Sequence, residues 1–253
     1  MGAKTALLAL ADGDIRPVLA TGARSTQAEA EELVRRVFPG YSTESIGEGS
    51  LFEHEYPPDD IAYATALPGV ELLSDRRLAR DLPSELPVHL RKLGAGRRII
   101  MHGMHSVVDW LGFAVWEDGE LVRSLSLSPD DGIVENIGQP YDFELPYWAG
   151  DHPVEPIPGW PNQRPYPLPF HPLELGELAL RALFGFVIEG YPDPNDIDTG
   201  SVPLHGFRVT DPAGHEQAAR EAARARTLAM MGPPRMFRMG PDGTMQETTL
   251  DNP

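Results

Sequence analysis

Cysteine is absent from the 253-residue chain, which removes disulfides, thiolate nucleophiles and every thiolate metal site. His, Asp and Glu are then the only strong ligand set, so any metal would be held through nitrogen and oxygen. Basic residues are scarce: 21 Lys and Arg stand against 38 Asp and Glu, a formal charge of -17. A field of that sign repels phosphate backbones and anionic bilayers, so neither nucleic acid nor a membrane surface is expected as a partner. Long hydrophobic runs are missing too, since no stretch approaches the roughly 20 apolar residues that span a bilayer. The opening MGAKTALLALADGD sets two acids after a few apolar residues, unlike a secretory signal, and Ala6 stands where a myristoylation pattern needs Ser or Thr. The expectation is a soluble, cytoplasmic protein. No phosphate loop, dinucleotide fingerprint or G-x-S-x-G elbow occurs.

What is present alternates between strand and helix patterns. TALLAL and IRPVLA flank Asp12-Gly13, a spacing that predicts a hairpin because both turn residues accept positive φ. Ser25 precedes TQAEAEELVRRVF, with acids early, arginines late and Pro39-Gly40 beyond, which predicts a capped helix whose Ala30, Leu33, Val34 and Val37 face a sheet. Residues 41–60 read as a partly extended surface segment, 61–67 as a strand, and 83–93 as a helix with Ser84 as its cap. The centre, 98–128, holds a second Asp-Gly hairpin at Asp118-Gly119. Its expected register sets Trp116 opposite Leu121, Ala114 opposite Arg123, Gly112 opposite Leu125 and Trp110 opposite Leu127. Both faces of that ribbon come out apolar, so it belongs inside a covered sheet.

Residues 140–170 carry eight prolines after Pro140, with Trp148 and Trp160 interleaved, and read as a long wrapped loop. Pro172 then opens a helix running to Gly190, 202–210 forms a strand, 215–231 an Ala- and Arg-rich helix, and 232–253 a terminal extension with a hairpin at Pro241-Asp242-Gly243. The fold class is α+β: a central, largely antiparallel sheet with packed helices and a long Pro-rich loop, in one domain over 1–253.

Few residues stand out chemically. Arg123 shares a predicted face with Leu121, Leu125 and Leu127, and a cation there needs a buried acid such as Glu135, Glu144 or Glu174, or a bound anion. His102 and His105 form an H-x-x-H pair, yet three residues along a regular strand put them on opposite faces, and only a bulge at Gly103 or a helical turn unites them. Asp109 shares the parity of His105 at about 13 Å in an extended strand, too far for one ion. A metal would recruit His171, Glu174 or His152 as a further ligand. Ser124, Ser126 and Ser128 alternate along one strand and read as small polar packing.

HSVVDWLGFAVWEDGELVRSLSLSPDDGIVENIGQPYDFELPYWAG, then LPFHPLELGELALRALFGFVIEG, and the opening GAKTALLALADGD together resemble an uncharacterised family of proteins from high-GC actinobacteria, classified as a domain of unknown function. The resemblance spans nearly the whole chain. It implies a bacterial cytoplasmic protein of about this length and brings no activity, cofactor or catalytic residue with it.

Two functional readings follow. The first is a non-enzymatic binding or regulatory module, with Trp148, Trp160, His171 and Glu174 around a groove for a small molecule or protein. The second is a metal-assisted or acid/base hydrolase, with His105, Asp109, Arg123 and Glu135 as catalytic groups and His102 and His105 as ligands of a divalent metal.

Overall fold

The computed structural model describes residues 2–156, 158–159, 163–231, 236–239 and 245–248. The chain divides into two compact units, Met1–Thr210 and Asp211–Pro253, where the sequence reading expects one domain.

The first unit is built on one sheet. Its strands are β1 (Lys4–Ala11), β2 (Ser42–Ser50), β3 (Ile61–Leu67), β4 (Val70–Ser74), β5 (Arg98–His105), β6 (Trp110–Glu117), β7 (Glu120–Ser128), β8 (Gly132–Ile137) and β9 (Pro203–Thr210). They pair antiparallel throughout in the order β2-β9-β3-β4-β1-β5-β6-β7-β8. The helices are α1 (Arg16–Leu19), α2 (Gln27–Val37), α3 (Leu51–His54), α4 (Val88–Leu93), α5 (Leu145–Ala149) and α6 (Pro172–Phe184). The class is α+β.

Both faces of the sheet are covered, as the two-sided apolar pattern of the centre requires. On one face Leu7, Ile100, Phe113, Leu125 and Leu127 pack under α6; on the other Leu8, Ile99, Met101, Trp116 and Phe207 pack under α2 and α4. The edges are polar. β2, STESIGEGS, is mostly exposed and breaks its register at a bulge between Ser45 and Gly47, which guards it against pairing with another chain.

Local chemistry explains where the elements depart from the sequence reading. The hairpin expected at Asp12-Gly13 does not form: β1 ends at Ala11 and α1 follows. Pro17 has no N–H for a ladder, and Ile15 and Leu19, one helical turn apart, are both buried. Thr26 rather than Ser25 caps α2, in a reciprocal box with Glu29; Ser25 instead hydrogen-bonds Thr65 at 3.1 Å. Helix α4 starts only at Val88, and Ser84 gives both its N–H and its hydroxyl to Glu135.

The hairpin of β6 and β7 turns at Asp118-Gly119 and pairs Trp116 with Leu121, but a bulge follows and every later pair slips by one residue. Arg123 therefore faces Val115 instead of Ala114, Gly112 faces Ser126, and Trp110 pairs with His105 across β5 instead of meeting Leu127. The slip sends Leu121 to the α2 face while Leu125 and Leu127 stay with Arg123 on the α6 face. Gly103 and Gly112, opposite each other, make the bed for the Trp110 indole, whose Nε1 donates to Ser126 at 3.1 Å. A β-carbon on either glycine would run into that ring.

Within 140–170 the structure places the short helix α5, and between α5 and α6 the described residues form no helix or strand. The second unit holds α7 (His215–Met231) and the antiparallel pair β10 (Met236–Met239) and β11 (Met245–Thr248). Among the described residues no helix is long and apolar enough to cross a membrane.

Candidate functional site

The clearest concavity is organised by α6. His171 caps the helix, its Nδ1 accepting the Leu173 N–H at 3.3 Å, and Pro172 fills the first turn where no donor is needed. Leu175, Ala179, Leu180, Leu183 and Phe184 are buried, each large side chain contributing about 1.5–3 kcal/mol. Gly176 sits against Met104 and Leu111, where a β-carbon would come within 2.7 Å of the Met104 sulfur. The missing side chain lets α6 settle close to β5 and β6.

The helix stops at Gly185, in the left-handed conformation at φ 89°, rather than at the expected Gly190. Residues 186–198 are thereby freed to fold back, and the polar stripe of α6 holds them. Glu177 accepts the N–H groups of Ile188 at 2.8 Å and Glu189 at 3.0 Å. Arg181 forks onto Asp196, both bonds 2.9 Å, and donates to the Tyr191 carbonyl. Between this wall, the helix and the stretch after α5 lies a cleft of about 660 Å³ lined by Tyr147, His152, His171, Glu174, Glu177, Arg181 and Tyr191, with Ala3, Leu173 and Leu178 among its apolar surface.

Charge in the cleft is uneven. Arg181 and Glu177 are committed to the wall, whereas the Glu174 carboxylate has no hydrogen-bond or ion partner among the described residues. Burial first, then the charge of Glu174, pushes the Tyr147 hydroxyl up; burial, Asp109 and Glu174 push Tyr166 up to about 12. The Tyr166 hydroxyl is buried without a partner among the described residues, and its ring stacks on His171 at 5.6 Å. Tyr147 is buried and stacks on the exposed ring of His152 at 4.2 Å. Tyr191 is 97% exposed at this cleft.

Asp109, in the β5–β6 turn at φ 46°, brings Oδ2 to 3.7 Å from His171 Nε2. Asp109, His171 and Glu174 thus converge. The His171 Nδ1 is occupied by the Leu173 N–H, while Nε2 faces Asp109 beyond hydrogen-bond distance.

The other expected site residues are placed apart. His102 and His105 point to opposite faces of a regular β5, so the H-x-x-H pair cannot hold one ion. His102 is fully buried between the Thr5 hydroxyl at 2.8 Å and the Gly176 carbonyl at 3.1 Å. Since a carbonyl only accepts, Nε2 carries the proton and Nδ1 accepts from Thr5. Burial drives its pKa down to about 3, so it stays neutral. His105 accepts the Val107 N–H on Nδ1 at 3.3 Å and lines a separate cavity of about 270 Å³ with Asp81, Asp130 and Asp131.

Arg123 is taken by Glu144, Nε to Oε1 at 2.9 Å and Nη2 to Oε2 at 2.6 Å, with neither side chain exposed. Its Nη1 donates to Asn136 at 2.7 Å, the Ile137 carbonyl at 2.9 Å and the Ser124 carbonyl at 3.2 Å. No anion is needed to balance it. Glu135 accepts from Ser84 and Ser124, pinning the 80s loop to β7. Trp148 donates to Glu144 at 3.3 Å and meets Phe170 edge-on, packed against the core rather than facing the cleft. Trp160 lies outside the described residues.

Sequence reasoning found His152, His171, Glu174 and Asp109 but missed Tyr147, Tyr166, Glu177, Arg181 and Tyr191. A signal existed in the helix: His171, Glu174, Glu177 and Arg181 follow the helical repeat as a polar stripe on an otherwise apolar element. Among the described residues no group of three or more His, Asp and Glu is arranged to hold a metal ion.

A family model described as a family of unknown function, DUF6928, matches residues 5–207, and the chain belongs to that family. No curated protein matches the chain. No solved structure matches it.

Proposed function

We propose that the chain is a non-enzymatic binding module whose α6 cleft takes a small organic cation, an apolar body carrying an amine. One observation carries this reading: Glu174 presents an uncompensated carboxylate to a cleft of ligand size, about 660 Å³, and its field is felt at the hydroxyls of Tyr147 and Tyr166. An ammonium would relieve that field. The exposed Tyr191 ring offers a face for the cation, and the apolar surface of Leu173, Leu178 and Val187 offers burial for the rest.

The hydrolase alternative has less support. His102 has both ring nitrogens bonded, and Arg123 and Glu135 are each satisfied within the protein, so these three are spent on structure, while His105 leaves the opposite face of the sheet.

The test is a thermal-shift panel of aryl- and alkylamines against the alcohols and carboxylates of the same skeleton. Amines raise the unfolding midpoint, their isosteres do not, and Glu174→Gln abolishes the difference. Equal response to amine and alcohol, or an undiminished response in the variant, overturns the reading.

A further inference from the structure

A second site stands apart from the α6 cleft. Lys4 and His105 are directly opposite in the β1–β5 ladder, so their side chains leave the same face of the sheet. Arg76, just past the end of β4, joins them around Tyr56: Lys4 Nζ lies 5.8 Å, the Arg76 guanidinium carbon 4.7 Å and the His105 ring centre 5.7 Å from the Tyr56 ring centre. Three basic groups within one ring's reach are unexpected in a chain with 38 acids to 21 bases. A structural cluster of this kind is normally neutralised by carboxylates.

Among the described residues that neutralisation is only partial. Asp59 reaches only Arg76 Nη1, at 3.4 Å, and Glu55, beside Tyr56 in sequence, has Oε2 buried with no partner. Lys4 has no carboxylate within ion-pair distance among the described residues, and Arg76 Nε is buried without an acceptor. Burial and the charges of Lys4 and Arg76 hold His105 below the ordinary imidazole range, and no acid among its influences opposes them. Asp81, Asp130 and Asp131 share a cavity with His105, but neither Lys4 nor Arg76 lines it.

We propose that Lys4, Arg76 and His105, gathered around Tyr56, form a binding site for a phosphate group. The donors match one: the ammonium of Lys4, the Nη2 group of Arg76 that Asp59 leaves open, and the Nε2–H of His105, whose proton is set there because Nδ1 accepts from Val107. A phosphate has three or more acceptor oxygens to distribute over donors arriving from separate elements, and its charge offsets the repulsion between Lys4 and Arg76. Free phosphate and a phosphate monoester share this chemistry.

Calorimetric titration of the full chain with inorganic phosphate, at ionic strength held constant with chloride, tests the site. Wild type binds, and Lys4→Gln and Arg76→Gln each weaken binding by about tenfold or more, as loss of one charge-assisted hydrogen bond implies. Asp59→Asn, which removes the acid paired with Arg76, binds at least as well as wild type. Circular dichroism and unfolding midpoints in phosphate-free buffer show that the variants are folded. Glycerol phosphate binding more tightly than inorganic phosphate identifies a monoester as the ligand, and equal binding identifies the free ion. No binding at millimolar phosphate, or equal binding by wild type, Lys4→Gln and Arg76→Gln, overturns the proposal.

Discussion

Replacing Glu144 by Gln keeps the shape of a buried side chain while removing the charge that balances Arg123. In the native protein the carboxylate accepts from Arg123 Nε at 2.9 Å, Arg123 Nη2 at 2.6 Å, the Tyr141 N–H at 2.8 Å and Trp148 Nε1 at 3.3 Å. The amide turns its NH₂ toward at least one of those donors and leaves a guanidinium with no counter-charge at zero exposure. Breaking a buried pair from one side costs about 3–5 kcal/mol. That is about a fifth or more of the typical stability of a domain and lowers the unfolding midpoint by about 6–20 °C. Urea unfolding followed by tryptophan fluorescence reads the loss, with Trp148 reporting directly on the altered bond. Arg123→Met behaves similarly, stranding the Ile137 carbonyl and the Asn136 side chain. The double variant Arg123→Met/Glu144→Met is less unstable than the sum of the singles, since neither charge is buried alone, although the Ile137 carbonyl, Asn136, the Tyr141 N–H and Trp148 still lose their partners. A loss below about 1 kcal/mol in Glu144→Gln, or a double variant as unstable as the sum of the singles, refutes the assignment of Arg123 to structure.

His102 makes stability fall with acid. The free imidazole takes a proton near 6.5 and the folded one only near 3, so between those values the unfolded chain binds more protons. The contribution is complete above pH 6.5 and shrinks as pH drops, by about 1.4 kcal/mol per unit. Urea midpoints of wild type and His102→Gln at several pH values give the difference that isolates it, and a pH-independent difference contradicts the account. Gly176→Ala gains about 1 kcal/mol of helix propensity but drives a methyl against Met104 and Leu111, for a net loss of about 1–2 kcal/mol. A stabilised variant shows that α6 does not need its close approach.

Much of the sheet was legible because its chemistry is local and periodic. The Asp118-Gly119 turn, the apolar stripe of α2 and the two-sided β6–β7 ribbon needed only neighbouring residues to be read. What was lost depended on distant partners. The bulge after Trp116 leaves no mark in VRSLSLS, yet it moves Arg123 from Ala114 to Val115 and reverses the face of Leu121. Gly138 is one trace of it, since a β-carbon there would strike the Val122 carbonyl. The end of α6 was ambiguous because Gly185 and Gly190 are equally good stops, and the four residues between them decide whether the cleft has a wall. His171 and Glu174 stood out as helix-start residues, while Tyr147 and Tyr191 reach them only through the fold. Lys4 and His105 are 101 residues apart in sequence and meet only through the β1–β5 register.

The central claim is that the α6 cleft recognises an organic cation through Glu174. Titrating ¹⁵N-labelled protein with 2-phenylethylamine, beside 2-phenylethanol as the uncharged match, tests it most directly. The account predicts amine-specific, saturable shifts confined to the amides of 147–152, 171–178 and 187–191, and their loss in Glu174→Gln. Shifts of equal size with the alcohol, shifts scattered over the acidic surface, or none at millimolar amine would contradict it.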